Sequence, residues 1–258
     1  MRRRIGIILI LLACSSSAVA AEMLLVEAEA FERPGGWVND SQFMDQMGSP
    51  FLLAHGLGRP VDDAKTTVKV RTAGSYRIWV RTRDWVAQWT KGKVEAPGRF
   101  KVVIDGTPLE KIFGTAGEMW HWQDGCVVVL KKGRISLALH DLTGFEGRCD
   151  AILLCSDVGH VPPDDAPPSW RRALLGIPEE PVLKGDYDLV VVGGGIAGLT
   201  ASISAARLGL AVALIHNRPV TGGASSPESG VGLAGGYCLD PYPHLGLMTH
   251  EISWSYGK

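Results

Sequence analysis

The stretch Asp186-Tyr-Asp-Leu-Val-Val-Val-Gly-Gly-Gly-Ile-Ala-Gly-Leu-Thr200 decides the reading of this chain. Leu189 to Val192 form a short continuous apolar run, the pattern of a parallel strand buried on both faces. The run passes directly into Gly193, Gly194, Gly195 and Gly198. At this spacing the first glycine permits a tight turn, the next lets the backbone approach a pyrophosphate, and the last allows a helix to lie close against the strand. The helix N-terminus adds unpaired N–H groups and the positive end of its dipole. The motif therefore predicts a strand–turn–helix that holds dinucleotide phosphates on Gly193, Gly194, Gly195, Ile196, Ala197 and Gly198.

The neighbouring residues agree with that unit. Ala197, Ala201, Ala205 and Leu208 recur at helical spacing, Gly209 follows as a C-terminal stop, and Leu210 to Ile215 read as a second strand. A second glycine cluster, Thr221-Gly-Gly-Ala-Ser-Ser226, comes next. From Asp188 through this cluster the segment resembles the FAD-dependent oxidoreductases. The resemblance implies pyrophosphate contacts at the first glycine loop, and cofactor contacts along the phosphates and ribityl chain at Gly222, Gly223 and Ser225. One position departs from the pattern. Where an Asp or Glu usually meets the adenosine ribose, this chain has His216, followed by Asn217 and Arg218. A neutral His or Asn can bond a hydroxyl, whereas Arg218 would suit a 2′-phosphate, so an NADP reading stays open beside FAD.

The resemblance implies that electron transfer belongs to the flavin and that the protein positions it. No residue is nominated as catalytic. Sixty residues follow Gly198, fewer than a nucleotide domain plus a substrate domain normally needs. The chain is therefore expected to be the front part of a longer enzyme, with an apparent helix near Leu247 left unfinished at Glu251 to Lys258.

The N-terminus reads as a signal peptide over residues 1–20. Arg2, Arg3 and Arg4 precede the apolar run Ile5 to Ala13, and Ala18-Val-Ala20 suits a peptidase. Export to the periplasm or the extracellular space follows. Within the segment, Leu11-Leu-Ala-Cys14 also reads as a lipobox, which would place a lipid anchor on Cys14. The mature chain has no apolar run long enough for a transmembrane helix. A net charge of −1 without basic runs after the signal argues against nucleic acid as a partner. Cys126, Cys149, Cys155 and Cys238 match no zinc pattern; Cys126 and Cys155 read as core thiols, with a bridge from Cys126 to Cys149 or Cys155 as the alternative.

Residues 22–157 read as a separate all-β domain. Runs at Met23 to Val26, Thr66 to Val70, Tyr76 to Arg81, Phe100 to Ile104, Cys126 to Leu130, Arg134 to Leu139 and Ala151 to Leu154 are separated by turn residues. Tyr76, Ile78 and Val80 alternate with Arg77, Trp79 and Arg81, and Ile135, Leu137 and Leu139 repeat the pattern. Asp105-Gly106 and Lys132-Gly133 read as hairpin turns. The expected fold is multidomain: a jelly-roll sandwich followed by a partial Rossmann-like βαβ segment at 186–258.

The sandwich resembles the galactose-binding-like jelly rolls, which include carbohydrate-binding modules. The resemblance rests on Val26-Glu-Ala-Glu-Ala-Phe31, Gly74-Ser-Tyr-Arg-Ile-Trp-Val-Arg81 and Cys149-Asp-Ala-Ile152. It implies a structural calcium on Glu27, Glu29 and Asp150, the alternative being exposed strand carboxylates. Trp85, Trp89, Trp120 and Trp122 read as loop residues beside Arg83, Asp84, His121, Gln123 and Asp124. Such a group suits sugar stacking, and equally suits packing or domain docking. His140, His160 and His250 show no metal spacing and read as ordinary polar residues.

Residues 158–185 contain Pro162, Pro163, Pro167, Pro168, Pro178 and Pro181 and read as a stiff linker interrupted by a short helix, Ser169 to Leu175, capped by Ser169. The order of signal, sandwich, linker and glycine motif resembles a family of bacterial exported FAD-dependent oxidoreductases; the expected partner is a small-molecule or carbohydrate substrate whose class stays open. The competing class is a secreted carbohydrate-binding module with an incomplete nucleotide fold. FAD binding separates the two.

Overall fold

The computed structural model describes residues 21–252 apart from 92, 219, 227–228 and 234–238. The expected signal segment, with Cys14, and Cys238 lie outside the described residues, as does the side chain of His250. The described chain divides into two compact units at Glu180/Pro181.

The first unit contains β1 (Met23–Glu27), β2 (Val38–Asp40), α1 (Met44–Met47), β3 (Phe51–His55), β4 (Ala64–Val70), β5 (Gly74–Thr82), α2 (Ala87–Thr90), β6 (Phe100–Ile104), β7 (Thr107–Pro108), β8 (His121–Leu130), β9 (Gly133–Asp141), β10 (Phe145–Cys149), β11 (Ala151–Cys155) and α3 (Pro168–Leu174). One sheet runs β1-β11-β5-β8, a second β4-β9-β6-β7, and a third, short sheet β10-β3-β2. All these pairings are antiparallel. The core lies between the sheets. Tyr76, Ile78 and Val80 of β5, Phe100 and Val102 of β6, Leu137 and Leu139 of β9 and Ile152 and Leu154 of β11 are all fully buried in one cluster. Period-two alternation therefore delivers one side of each strand to a shared interior, and each large apolar side chain so buried contributes about 2 kcal/mol.

The strand runs expected from alternation are present, but β2, β3 and β10 were not among them. In β3, Phe51, Leu52, Leu53 and Ala54 are all buried, so the strand has no polar face and no period to detect. Asp105 and Gly106 have φ of 47° and 79° and close the β6–β7 hairpin, as a primed turn requires. Lys132-Gly133 does something else. It carries the chain from β8, paired with β5, across to β9, paired with β4 and β6, so it links two sheets and is not a hairpin turn.

The outer face of β1-β11-β5-β8 is also covered. Leu25, Trp79, Trp122, Ala151 and Leu153 form a second buried cluster, with Trp170 and Leu174 of α3 packed against it. The helix expected within the linker thus belongs structurally to the sandwich. It is not capped by Ser169: Pro167 occupies the N-cap in an extended conformation and Pro168 opens the helix, where a missing N–H costs nothing. Cys126, Cys149 and Cys155 are free thiols, so the Cys126 bridge does not form. Cys126 is exposed, with φ 85°, near the register shift between Arg77 and Trp79 on the partner strand. Bulging turns its side chain out of the core expected for it.

The second unit contains β12 (Leu189–Val192), α4 (Ile196–Arg207), β13 (Val212–Ile215) and α5 (Leu245–Ile252). β12 and β13 pair in parallel, Leu189 opposite Val212 and Val192 opposite Ile215. Gly209 sits just past α4 with φ 88°, the left-handed stop its position implied. The expectation that β12 is buried on both faces fails within this unit: Val190 is 51% exposed and Val192 80%. Both lie on the same side of the strand, which no described element of the unit covers. Among the described residues no helix is long and apolar enough to cross a membrane.

Candidate functional site

The glycine loop is built by β12 and α4. Gly193 takes φ 104°, which only glycine adopts readily, and its N–H donates to Ile215 O at 2.8 Å. A Cβ on Gly198 would stand 1.9 Å from Gly193 O and 3.3 Å from Val191 Cγ1, so the helix lies on the strand at a distance only a bare Cα allows. Gly195 differs from both. Its φ is −68°, open to any residue, and a Cβ there would meet nothing within 4 Å. Among the described residues nothing makes a steric demand for glycine at this position. An open space beside Gly195 is what an approaching pyrophosphate would need.

Gly195 is also the N-cap of α4, which has neither a side-chain cap nor an acidic residue in its first turn. The first-turn N–H groups of Ile196, Ala197 and Gly198 have no partner within the helix, and no carboxylate of the first turn competes for them. The second glycine cluster is brought against the first. Gly222 N–H donates to Gly194 O at 2.7 Å, Gly222 forms a parallel bridge with Gly195, and Gly223 opens a single 3-10 turn through Ser225. Gly222 and Gly223 have φ of 117° and 60°, so both are required by backbone conformation. The donor set and open space fit a dinucleotide phosphate.

His216 is placed differently from the acidic residue it replaces. Its Nδ1 accepts the Gly194 N–H at 3.1 Å and its Nε2 lies 2.8 Å from Val220 O. That pairing assigns the neutral ring with hydrogen on Nε2, and the ring braces the glycine loop. Asn217 and Arg218 are exposed beside it. Ser226 is a residue the sequence reading passed over. It is 2% exposed, its hydroxyl has no partner among the described residues, and its backbone packs at 3.1 Å from a Cβ position on Gly222. Its only sequence signal was its place at the end of the second glycine cluster.

In the sandwich, the residues considered for sugar stacking are mostly structural. Trp120 is 5% exposed and packs edge-on against Phe51 with centroids 5.0 Å apart. Trp122 lies in β8, not in a loop, and is 7% exposed. Arg83 and Asp84 are buried; Arg83 stacks over Phe43 and Asp84 Oδ1 accepts the Val86 N–H. Gln123 is buried, His121 Nδ1 contacts Met119 O, and Asp124 accepts the Cys126 N–H. Trp85 and Trp89 meet edge to face at 6.0 Å, and Trp89 is 67% exposed. His140 pairs with Asp63 at 2.8 Å, and His160 accepts Trp79 Nε1–H on its carbonyl.

Glu27, Glu29 and Asp150 converge, with ligand oxygens within 4.8 Å of one another. They are not exposed strand carboxylates: Glu27 is 8% exposed and Asp150 is fully buried. Arg81 Nη1 donates to Asp150 Oδ2 at 2.9 Å. Arg171 of α3 donates from Nε to Glu27 Oε1 at 3.1 Å, from Nη1 to Asp150 Oδ2 at 3.1 Å, and from Nη2 to Glu27 Oε2 and to Asp150 Oδ1, the last at 3.2 Å. All four oxygens of the two carboxylates thus already face a guanidinium, and a calcium ion, which needs six to eight free oxygens, does not fit this arrangement.

Glu29 is the third carboxyl. Burial, reinforced by the charge on Glu27, pushes it up to about 8. An acid raised on folding stabilises below its unfolded value of 4.5 and loses that contribution as pH climbs through 8. Glu29→Gln is therefore expected to be about 2 kcal/mol more stable, relative to the native chain, at pH 8 than at pH 5, less than the full shift because the residue is only half-buried. Urea midpoints across that range check it; parallel pH profiles for the two proteins would refute it.

Among solved structures the chain is similar to a family 35 carbohydrate binding module from Clostridium thermocellum (TM-score 0.40, 14% identity, covering 52% of this chain and 97% of that one) and to the CBM36-1 domain of a multidomain xylanase from the hindgut metagenome of Trinervitermes trinervoides (TM-score 0.39, 13% identity, 55% and 100%). Over 61 residues the chain is 43% identical to the pyridine nucleotide-disulfide oxidoreductase domain-containing protein 2 of Mus musculus and 41% to that of Rattus norvegicus. The matched stretch covers 24% of this chain and 10% of the length of either relative. Residues 188–246 match the family described as FAD dependent oxidoreductase, and they form a flavoenzyme-type region that follows a β-sandwich in the same chain.

Proposed function

We propose that the α/β unit holds the pyrophosphate of FAD at the N-terminus of α4, and that the chain is part of an exported FAD-dependent oxidoreductase. The observation that carries this reading is the open space at Gly195, a glycine that the protein's own packing does not require, beside an uncapped helix end. Gly193, Gly194, Ile196, Ala197 and Gly198 line the same turn, while Gly222, Gly223 and Ser225 are placed along the remainder of the cofactor. His216 braces the loop, and Asn217 and Arg218 stand where the adenosine ribose would lie. When bound, FAD supplies electron transfer; these residues bind and orient it. Export rests on the arginine and apolar pattern of residues 1–20.

The test is titration of the purified chain with FAD, followed by flavin fluorescence, with NADP as competitor. Saturable binding that NADP does not displace supports the proposal. Displacement by NADP would transfer the site to that cofactor through Arg218, and absence of binding to either would overturn it.

A second reading, carbohydrate recognition by the sandwich, is favoured by the exposure of Trp89 beside Trp85. Aromatic stacking on a sugar contributes about 1 kcal/mol or more. Trp89→Ala is accordingly expected to retard migration through polysaccharide-containing gels roughly tenfold less than the native chain does, with melting unchanged. Equal mobility shifts for the two proteins would remove Trp89 from any sugar site.

A further inference from the structure

The cluster of Glu27, Glu29 and Asp150 joins the first strand, the turn after it and the start of β11. Three converging carboxyls in a sandwich of this form need positive charge to fold. The source of that charge is on α3. Besides its bonds to Glu27 and Asp150, the Arg171 guanidinium donates to Met47 O at 2.8 Å and approaches Ser49 Oγ at 3.5 Å. Its side chain is 13% exposed, against 10% for Glu27 and none for Asp150. All three of its nitrogens are engaged, and its plane bridges two carboxylates that no other described residue connects.

We infer that Arg171 is the resident cation of this cluster: its guanidinium takes the place of a divalent ion, so the sandwich folds without calcium and depends instead on docking of α3. Charge count agrees. Arg81 and Arg171 balance Glu27 and Asp150. A divalent ion could enter only by expelling Arg171. That would also lift Trp170 and Leu174 from the outer face formed by Leu25, Trp79, Trp122, Ala151 and Leu153. Apolar packing thus holds the guanidinium in place, and the guanidinium in turn fixes the helix.

The inference is independent of flavin binding and is tested on the full chain by thermal melting, followed by tryptophan fluorescence in EDTA and in millimolar calcium at constant ionic strength. The native sandwich is expected to melt at the same temperature in both. Arg171→Ala leaves the buried Glu27 carboxylate unpaired and Asp150 with Arg81 alone, and is expected to melt roughly 10 °C lower in EDTA. Calcium should then recover several degrees by entering the vacated cluster, and the recovery should vanish in Arg171→Ala combined with Glu27→Gln. If the alanine variant does not fold in either buffer, Arg171→Lys serves. One ammonium cannot bridge both carboxylates as a planar fork does, so a smaller loss with partial recovery in calcium is expected. A rise in the native melting temperature with calcium would place an ion in the cluster and overturn the inference. So would an Arg171→Ala variant that melts as the native chain does.

Discussion

Gly195→Val is expected to weaken flavin binding by about 100-fold or more, a loss near 3 kcal/mol, while circular dichroism stays native-like and melting of the α/β unit falls by only about 5 °C. The expectation follows from the difference between what the chain needs and what a ligand needs. The backbone at Gly195 has φ −68° and a Cβ position with nothing described within 4 Å, so the backbone accepts an L side chain and its β-carbon meets no neighbour. The only cost to the fold is that valine is a poorer N-cap than glycine, by about 1 kcal/mol. The branched side chain would occupy the space in front of the first-turn N–H groups, where the pyrophosphate would lie. Flavin titration and circular dichroism on the same preparation check both halves. Native-like flavin affinity in a folded Gly195→Val protein would remove the phosphate from this turn.

Gly198→Ala is the counterpart, with the opposite division of effects. In an exposed helix this change stabilises by up to about 1 kcal/mol, because glycine loses more backbone freedom on folding. Here the added methyl would sit 1.9 Å from Gly193 O and 3.1 Å from Gly193 C, both backbone atoms that cannot swing aside. Helix α4 would have to retreat from β12, breaking the contact that defines the unit. A loss of about 3 kcal/mol or more is expected, comparable to other severe overpacking. Because the chain forms two compact units, calorimetry should show the α/β transition lowered or lost and the sandwich transition kept. A single unshifted pair of transitions would mean that α4 yields more easily than the backbone contact implies.

Much of this architecture was legible because it repeats at short period. Alternation in Tyr76 to Arg81 and Ile135 to Leu139 marked strands with one buried face, and the glycine spacing marked the strand–turn–helix. What escaped was structure without local contrast. β3 is buried on both faces, so Phe51 to Ala54 carry no alternation. Trp120 and Trp122 looked like a sugar platform because their neighbours are polar, yet Phe51, Phe43 and Trp170 come from distant segments to enclose them. The helix of the proline-rich segment was visible, but its attachment to the sandwich was not. The contact from Arg171 to Glu27 spans 144 residues, a separation at which no local pattern reports pairing.

The sequence by itself determined the two-part order, the β character of the first part, and the strand–turn–helix at the glycine loop, because each depends on residues within about a dozen positions of one another. Tertiary structure decided the rest. It separated Gly198, fixed by its own protein's packing, from Gly195, whose Cβ position meets no described atom within 4 Å. It turned His216 back onto Gly194 and laid Gly222 against the first loop. It also gave the acidic cluster a guanidinium partner, so that residues suited to calcium became an ion pair with α3. The physical reason is the same in each case: which atom faces a charge or an empty space is set by chain segments that meet only after folding.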